Sequence, residues 1–400
     1  MNTNQLLYRQ IFWRGLSIAL SFAVNVLFAR FLGASVNGWV LYQFAVYSVV
    51  IQLASLSMET GVAYHTARKT YSDGRLLGFA LMWSLAASSV VFGGIVITDV
   101  FIKPLDYPWG YAVAFVCGNM LISFGNAFCY AKLHFTLPAS VAIVVNFVVA
   151  IILAIHFLIV PLPFDMIGLW FCFYLVHGAV LFILILSASK VRLSFRITRD
   201  EMSAIMSYSI VAALANLVFL LVTRVDYLFI KKFESSSELG NYAQVSRIAT
   251  MLFLLPSVIS SVLFPLSAAG SAHLDRTTLR SIIHRLLLVN GSICLLLAAI
   301  GYWLFPFIYG QSYNSMYPAF LLLIPGILAV SAMHPYSAYL SGKNRVIENI
   351  RGGILALMFI VPIDVLFIPQ FGINAASVAS SLGYGAYFFY LRWRFALKHH

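Results

Sequence analysis

Apolar runs of about twenty residues, recurring along nearly the whole chain, constrain the fold more than any other feature of this sequence. A hydrocarbon core about 30 Å thick is crossed by about 20 helical residues rising 1.5 Å each. On that ruler about twelve segments emerge, at approximately 12–32, 39–58, 78–98, 110–130, 138–160, 167–187, 205–229, 240–263, 286–305, 318–340, 349–368 and 373–391. Lipid offers the backbone no hydrogen-bond partner, so spanning segments are helices or the strands of a closed barrel. These runs are continuous rather than alternating over ten residues, which selects helices. Composition agrees: 62% of the 400 residues are apolar, 10% are charged, and mean hydropathy is +0.92. The expected fold class is an all-α integral membrane protein of about twelve transmembrane helices.

The net charge of +12 is scattered in short clusters between the runs, which argues for topology and against nucleic-acid binding. Nineteen of the 25 Lys and Arg residues fall on one side. They are Arg9, Arg14, Arg68, Lys69, Arg75, Lys132, Lys190, Arg192, Arg196, Arg199, Arg276, Arg280, Arg285, Lys343, Arg345, Arg351, Arg392, Arg394 and Lys398. The positive-inside rule makes that side cytoplasmic, with both termini on it. Lys103, Lys231 and Lys232 fall on the other side, and Arg30, Arg224 and Arg247 lie in or at the edge of spans. The first apolar run continues to about Phe28 without a small-residue cleavage site and reads as a retained span. Cys117, Cys129, Cys172 and Cys294 sit in apolar stretches without CxxC spacing and read as packing residues.

A basic linker at 188–199, followed by a Thr198-x-x-Glu201 capping box, marks a midpoint. The expected domains are residues 1–200 and 201–400, each a six-helix bundle. An internal repeat supports the division: Phe31 to Gly38 aligns with Phe233 to Gly240, with the same spacing in both. Parallel repeats of this kind enclose a substrate site between the halves. Arg276, Arg280 and His284 recur every four residues opposite Leu279, Ile282, Ile283 and Leu286. That stretch either lies along the headgroups or simply opens the ninth span.

Several segments resemble the Wzx-type polysaccharide flippases of the multidrug/oligosaccharidyl-lipid/polysaccharide (MOP) exporter superfamily. They are ARFLGASVNG at 29–38, TRVDYLFI at 223–230 with LGNYA at 239–243, LPSVISSVLFP at 255–265, FIYGQSY at 307–313 and IPQFGINAA at 368–376. The resemblance implies two six-helix bundles around a central, partly basic cavity that alternates its opening between the two sides. It further implies a bacterial inner-membrane flippase whose cargo is an oligosaccharide linked to undecaprenyl diphosphate, destined for O-antigen, capsule or exopolysaccharide. Membrane lipids, a polysaccharide polymerase and a chain-length regulator are the partners it implies, with no cofactor, no metal and no nucleic acid.

Moving such a cargo needs cations for the diphosphate and polar groups for the sugars. Arg247, about seven residues into the eighth span, is the leading cavity cation, against an inter-helix ion pair. Arg30 and Arg224 either support it or reach the headgroups. Asn25 and Gln244 are substrate-binding candidates whose amides suit sugar hydroxyls or interhelical bonds. Asp226 requires a partner, with Arg247 or Arg30 expected, and it joins Asp364 and Glu59 as coupling or ion-pair candidates. Glu348 and Arg351 are spaced for a helix-end pair. His156, His177 and His334 lack metal-ligand spacing and read as packing or interhelical hydrogen-bonding residues, and Pro256, Pro265, Pro325, Pro335 and Pro362 as bend points.

Two other classes compete. A cation-coupled multidrug antiporter would share the architecture. A membrane polymerase or ligase acting on lipid-linked sugars would need a positioned acid, base or metal site. The sequence contains no H-x-x-x-D, D-x-D, G-x-S-x-G or P-loop motif, so a transporter rather than an enzyme is expected.

Overall fold

The computed structural model describes residues 3–102, 107–132, 134–163, 165–268 and 276–397. Lys103 and Lys398 lie outside the described residues, as do the side chains of Arg9, Arg14 and Arg276. The described residues form thirteen α-helices and no strand. They are α1 (Thr3–Ser55), α2 (Met58–Arg68), α3 (Asp73–Ile97), α4 (Trp109–Ala131), α5 (Thr136–Leu158), α6 (Met166–Ser189) and α7 (Arg199–Phe233), then α8 (Ser236–Leu252), α9 (Leu254–Ala268), α10 (Arg276–Tyr309), α11 (Met316–Gly342), α12 (Val346–Phe371) and α13 (Ile373–Ala396).

Every expected span falls on a helix, but the breaks differ from those read in the sequence. Among the described residues nine helices are long and apolar enough to cross a membrane, or ten if α8 and α9, bent by 41°, form one span. Two helices run on within α1 through a kink at Gly33, whose φ of 71° favours glycine, so the expected loop at 33–38 shrinks to one residue. α13 is not among the nine: Asn374, Ser377, Ser380, Ser381 and Tyr384 dilute its apolar character. The long helices make this a multi-pass membrane protein.

The chain divides into two compact units, Met1–Leu27 with Val46–Leu217 and Phe28–Ala45 with Val218–His400. The division falls within α7 rather than at residue 200, and a short N-terminal segment packs with the second unit.

In the first unit, Met58, Val62, Leu76, Phe79, Phe124 and Leu181 form part of one buried cluster. α4 and α6 approach closely because Gly118 and Gly178 leave room, and a Cβ on Gly118 would lie 2.2 Å from the Tyr174 carbonyl carbon. The expected capping box forms: the Thr198 backbone N–H donates to Glu201 Oε2 at 2.8 Å, and the Glu201 N–H donates to Thr198 Oγ1 at 3.2 Å. Arg75 then binds Glu201 Oε1 at 2.7 Å.

The second unit is assembled on small residues. Ser381 Oγ accepts from the Gly326 N–H at 3.2 Å and donates to the Leu322 carbonyl at 2.7 Å, joining α13 to α11. A Cβ on Gly383 would meet Ile360 Cγ1 at 2.5 Å, so α12 and α13 also pack closely. Pro256 has no N–H to offer the Leu252 carbonyl, and the chain bends there. Asn290 Nδ2 fills that vacancy at 3.0 Å and donates to Ser331 Oγ at 2.7 Å. α10 runs unbroken for 34 residues, about 51 Å. The stretch with Arg280 and His284 therefore opens the ninth span and does not form a separate surface helix, with Leu279, Ile283 and Leu286 buried.

Candidate functional site: a buried carboxylate pair in the second unit

Asp226 lies near the end of α7 and is 1% exposed. A carboxylate so placed needs donors, because water is excluded. The hydroxyl of Tyr242 on α8 donates to it, and Ser380 Oγ on α13 donates at 3.2 Å. Its other oxygen accepts from the Tyr227 backbone N–H at 2.9 Å. The expectation of Arg247 or Arg30 as partner is thus corrected: neutral hydroxyls and a backbone amide hold Asp226. Arg224, two residues earlier, is within electrostatic reach, while its Nη1 donates to the Tyr227 hydroxyl at 2.8 Å and its guanidinium lies 5.2 Å from that ring's centroid.

Asp364 on α12 is fully buried, and among the described residues neither of its carboxylate oxygens has a hydrogen-bond partner. Asp226 acts on it electrostatically. Two carboxylates against the single guanidinium of Arg224 leave one negative charge to be balanced in a low-dielectric setting. A proton or a monovalent cation is the kind of charge that would supply that balance. Carboxylate and hydroxyl oxygens suit a hard cation better than a soft transition metal. Ser377, one turn before Ser380 on α13, is also buried with an unpartnered hydroxyl among the described residues.

The other sequence candidates scatter. Arg247 lies on α8, which starts at Ser236 with Ser235 as its cap, so Arg247 stands about 16 Å along the helix, deeper than the sequence suggested. It is half-buried and within electrostatic reach of the Tyr309 and Tyr313 hydroxyls. Gln244, one turn earlier, is fully buried, and among the described residues neither amide atom has a partner. Arg30 closes a helix end instead, since its Nη1 donates to the Phe307 and Ile308 carbonyls at 2.6 and 3.2 Å and so caps the C-terminal end of α10. Asn25, in the first unit, donates to the Ser21 carbonyl one turn earlier at 2.7 Å. Glu59 is also in the first unit, in the opening turn of α2, with Oε2 buried and unpartnered among the described residues. The Glu348–Arg351 pair, at 3.8 Å, is one contact of a larger cluster in which Glu348 also binds Arg345 and Arg394 at 3.1 and 2.6 Å.

Sequence reasoning missed Tyr242, Ser377, Ser380 and Asn290. Tyr242 is 16 residues from Asp226 and carries no local signal, and the serines are hidden among the small residues of AASVASSLG at 375–383.

The fold is that of MOP-superfamily transporters. The solved structure of the lipid II flippase MurJ, in its inward closed conformation, superposes with a TM-score of 0.75 at 13% identity, covering 97% of this chain and 87% of that one. A mutant of the Vibrio cholerae MATE transporter VcmN gives 0.71 at 15% identity, covering 99% and 97%. A MOP-superfamily transporter from Pyrococcus furiosus, described as having a binding pocket of reversed polarity, gives 0.69 at 13% identity, covering 98% and 94%. No curated protein matches the sequence. The family described as polysaccharide biosynthesis protein (Polysacc_synt_3) matches residues 27–318, and the chain belongs to it.

Proposed function

We propose that this protein is a flippase that carries an undecaprenyl-diphosphate-linked oligosaccharide from the cytoplasmic to the periplasmic leaflet of the bacterial inner membrane, for cell-surface polysaccharide synthesis. The observation that carries this reading is the family match across residues 27–318 of a chain with a transporter fold. The distribution of Lys and Arg supports a cytoplasmic location for both termini. In this reading Arg247, supported by Arg224, meets the diphosphate, and Gln244 meets sugar hydroxyls. Arg30 and Asn25 keep supporting parts only. The Asp226–Asp364 pair binds a proton or monovalent cation, and its loading and release drive the conformational cycle. Glu59 is a second, weaker coupling site. A polymerase and a chain-length regulator take the product onward.

The test replaces Arg247 by Ala in a strain that depends on this chain, verifies membrane levels, and measures surface polysaccharide. Loss of polymer with accumulation of the lipid-linked precursor supports the reading, and undiminished polymer removes Arg247 from it. Extrusion of cationic dyes without any effect on polymer would favour the multidrug antiporter instead.

A further inference from the structure

The cargo site does not use a pocket of about 290 Å³ at the opposite end of the second unit from the Gly33 kink, lined by Arg280, Tyr336, Phe389, Arg392, Trp393 and Phe395. Three helices build it: the first turns of α10, the last turns of α11 and the last turns of α13. Arg280 and Arg392 are both exposed, and among the described residues neither takes part in an ion pair. Among the described residues Glu348 is the acid at this end of the unit, and it is already occupied by Arg345, Arg351 and Arg394. Among the described residues the pocket therefore presents two unneutralised guanidinium groups. Beside them stand exposed aromatic rings, Trp393 at 53% and Phe389 at 63%, on the same helix as Arg392.

Each part has a chemical meaning. Two guanidiniums lining one cavity form a site for a phosphodiester, which accepts charge-assisted hydrogen bonds from both. Exposed Trp and Phe beside them suit the boundary between headgroup and acyl chains, where aromatic residues collect. α10 is longer than the hydrocarbon core, so its first turns, with Arg280, reach beyond the apolar layer to headgroup depth.

We infer that this pocket binds the headgroup of an anionic phospholipid, with the phosphodiester between Arg280 and Arg392 and the acyl chains leaving over Phe389 and Trp393. The site is independent of the transported cargo and would hold whether or not the chain is a flippase. A lipid held there ties the starts and ends of α10, α11 and α13 together at one membrane face.

The full-length protein, purified in detergent, is titrated with phosphatidylglycerol or phosphatidylcholine, and retained lipid is counted by native mass spectrometry. The expected result is preferential retention of phosphatidylglycerol, reduced about thirtyfold in R280Q/R392Q, since each basic residue at a charged membrane surface contributes roughly fivefold. R280K/R392K, which keeps the charges, should retain part of that preference, and thermal unfolding of each variant checks that it is folded. If R280Q/R392Q fails to fold, the single variants R280Q and R392Q are measured instead, each with roughly a fivefold reduction expected. Equal retention of the two lipids by the wild type, or unchanged preference in the folded glutamine variants, would overturn the inference. Displacement of bound lipid by millimolar glycerol phosphate or inorganic phosphate would also overturn it, by showing a site for free phosphate rather than for a lipid.

Discussion

Gly38 and Gly240, the matching ends of the internal repeat, pack backbone against backbone: a Cβ on Gly38 would stand 2.6 Å from the Gly240 nitrogen and 1.9 Å from the Ser236 carbonyl oxygen. A Cβ on Gly240 would in turn meet the Ala34 carbonyl oxygen at 2.1 Å. Neither contact can be relieved by turning a side chain, because backbone atoms stand on both sides. Gly38→Ala and Gly240→Ala are each expected to destabilise the second unit by about 1–3 kcal/mol, the usual cost of overpacking. Thermal unfolding in detergent checks this, and an unchanged melting temperature in both variants would contradict the close approach.

That contact shows what could be read in the sequence and what could not. The equal spacing of Phe31–Gly38 and Phe233–Gly240 was visible in the residue order, but their mutual contact was not, because it joins residues about two hundred positions apart. Helical spans were legible because hydropathy over about twenty residues is a local property. Asp226 and Asp364 stood out because charge in an apolar run is rare. Their roles were not legible, since partners such as Tyr242 and Ser380 are ordinary residues brought close by helix packing. The sequence already sets Arg247 inside a span and Arg30 at a span's edge, but only the fold shows Arg30 capping α10 and how deep Arg247 lies in α8.

The two arginines should therefore separate experimentally. Arg30→Ala frees the Phe307 and Ile308 carbonyls and is expected to lower stability by about 1 kcal/mol, with most surface polysaccharide retained. Arg247→Ala should leave the melting temperature nearly unchanged and abolish polymer. Paired measurements of unfolding and surface polysaccharide check both, and the reverse pattern would exchange the assignments.

Asn290→Ala removes the donor that satisfies the Leu252 carbonyl at the α8–α9 bend. The expected cost is about 1–2 kcal/mol, the penalty for a buried acceptor left without a partner. Restoring the backbone donor with Pro256→Ala in the same chain should recover most of it, because the Leu252 carbonyl then has the N–H of residue 256. A double-mutant cycle of unfolding free energies reads that coupling, and strict additivity would contradict it.

Asp364→Asn removes one carboxylate from a site with an unbalanced negative charge. The purified variant is expected to be at least as stable as the wild type and to lose any stabilisation by sodium ions or by low pH. Thermal unfolding across sodium concentrations and across pH checks this, and an undiminished response to both in the variant would place the ion elsewhere.

The most direct test of the account is translocation itself. Purified protein in liposomes is given an undecaprenyl-diphosphate oligosaccharide on one face, and its appearance on the other is followed with an imposed proton or sodium gradient. The wild type is expected to move the lipid in step with one of these gradients, and D226N/D364N, inserted at equal density, to lose that dependence. Gradient-driven movement that survives in D226N/D364N, or no movement by the wild type under either gradient, would contradict the account.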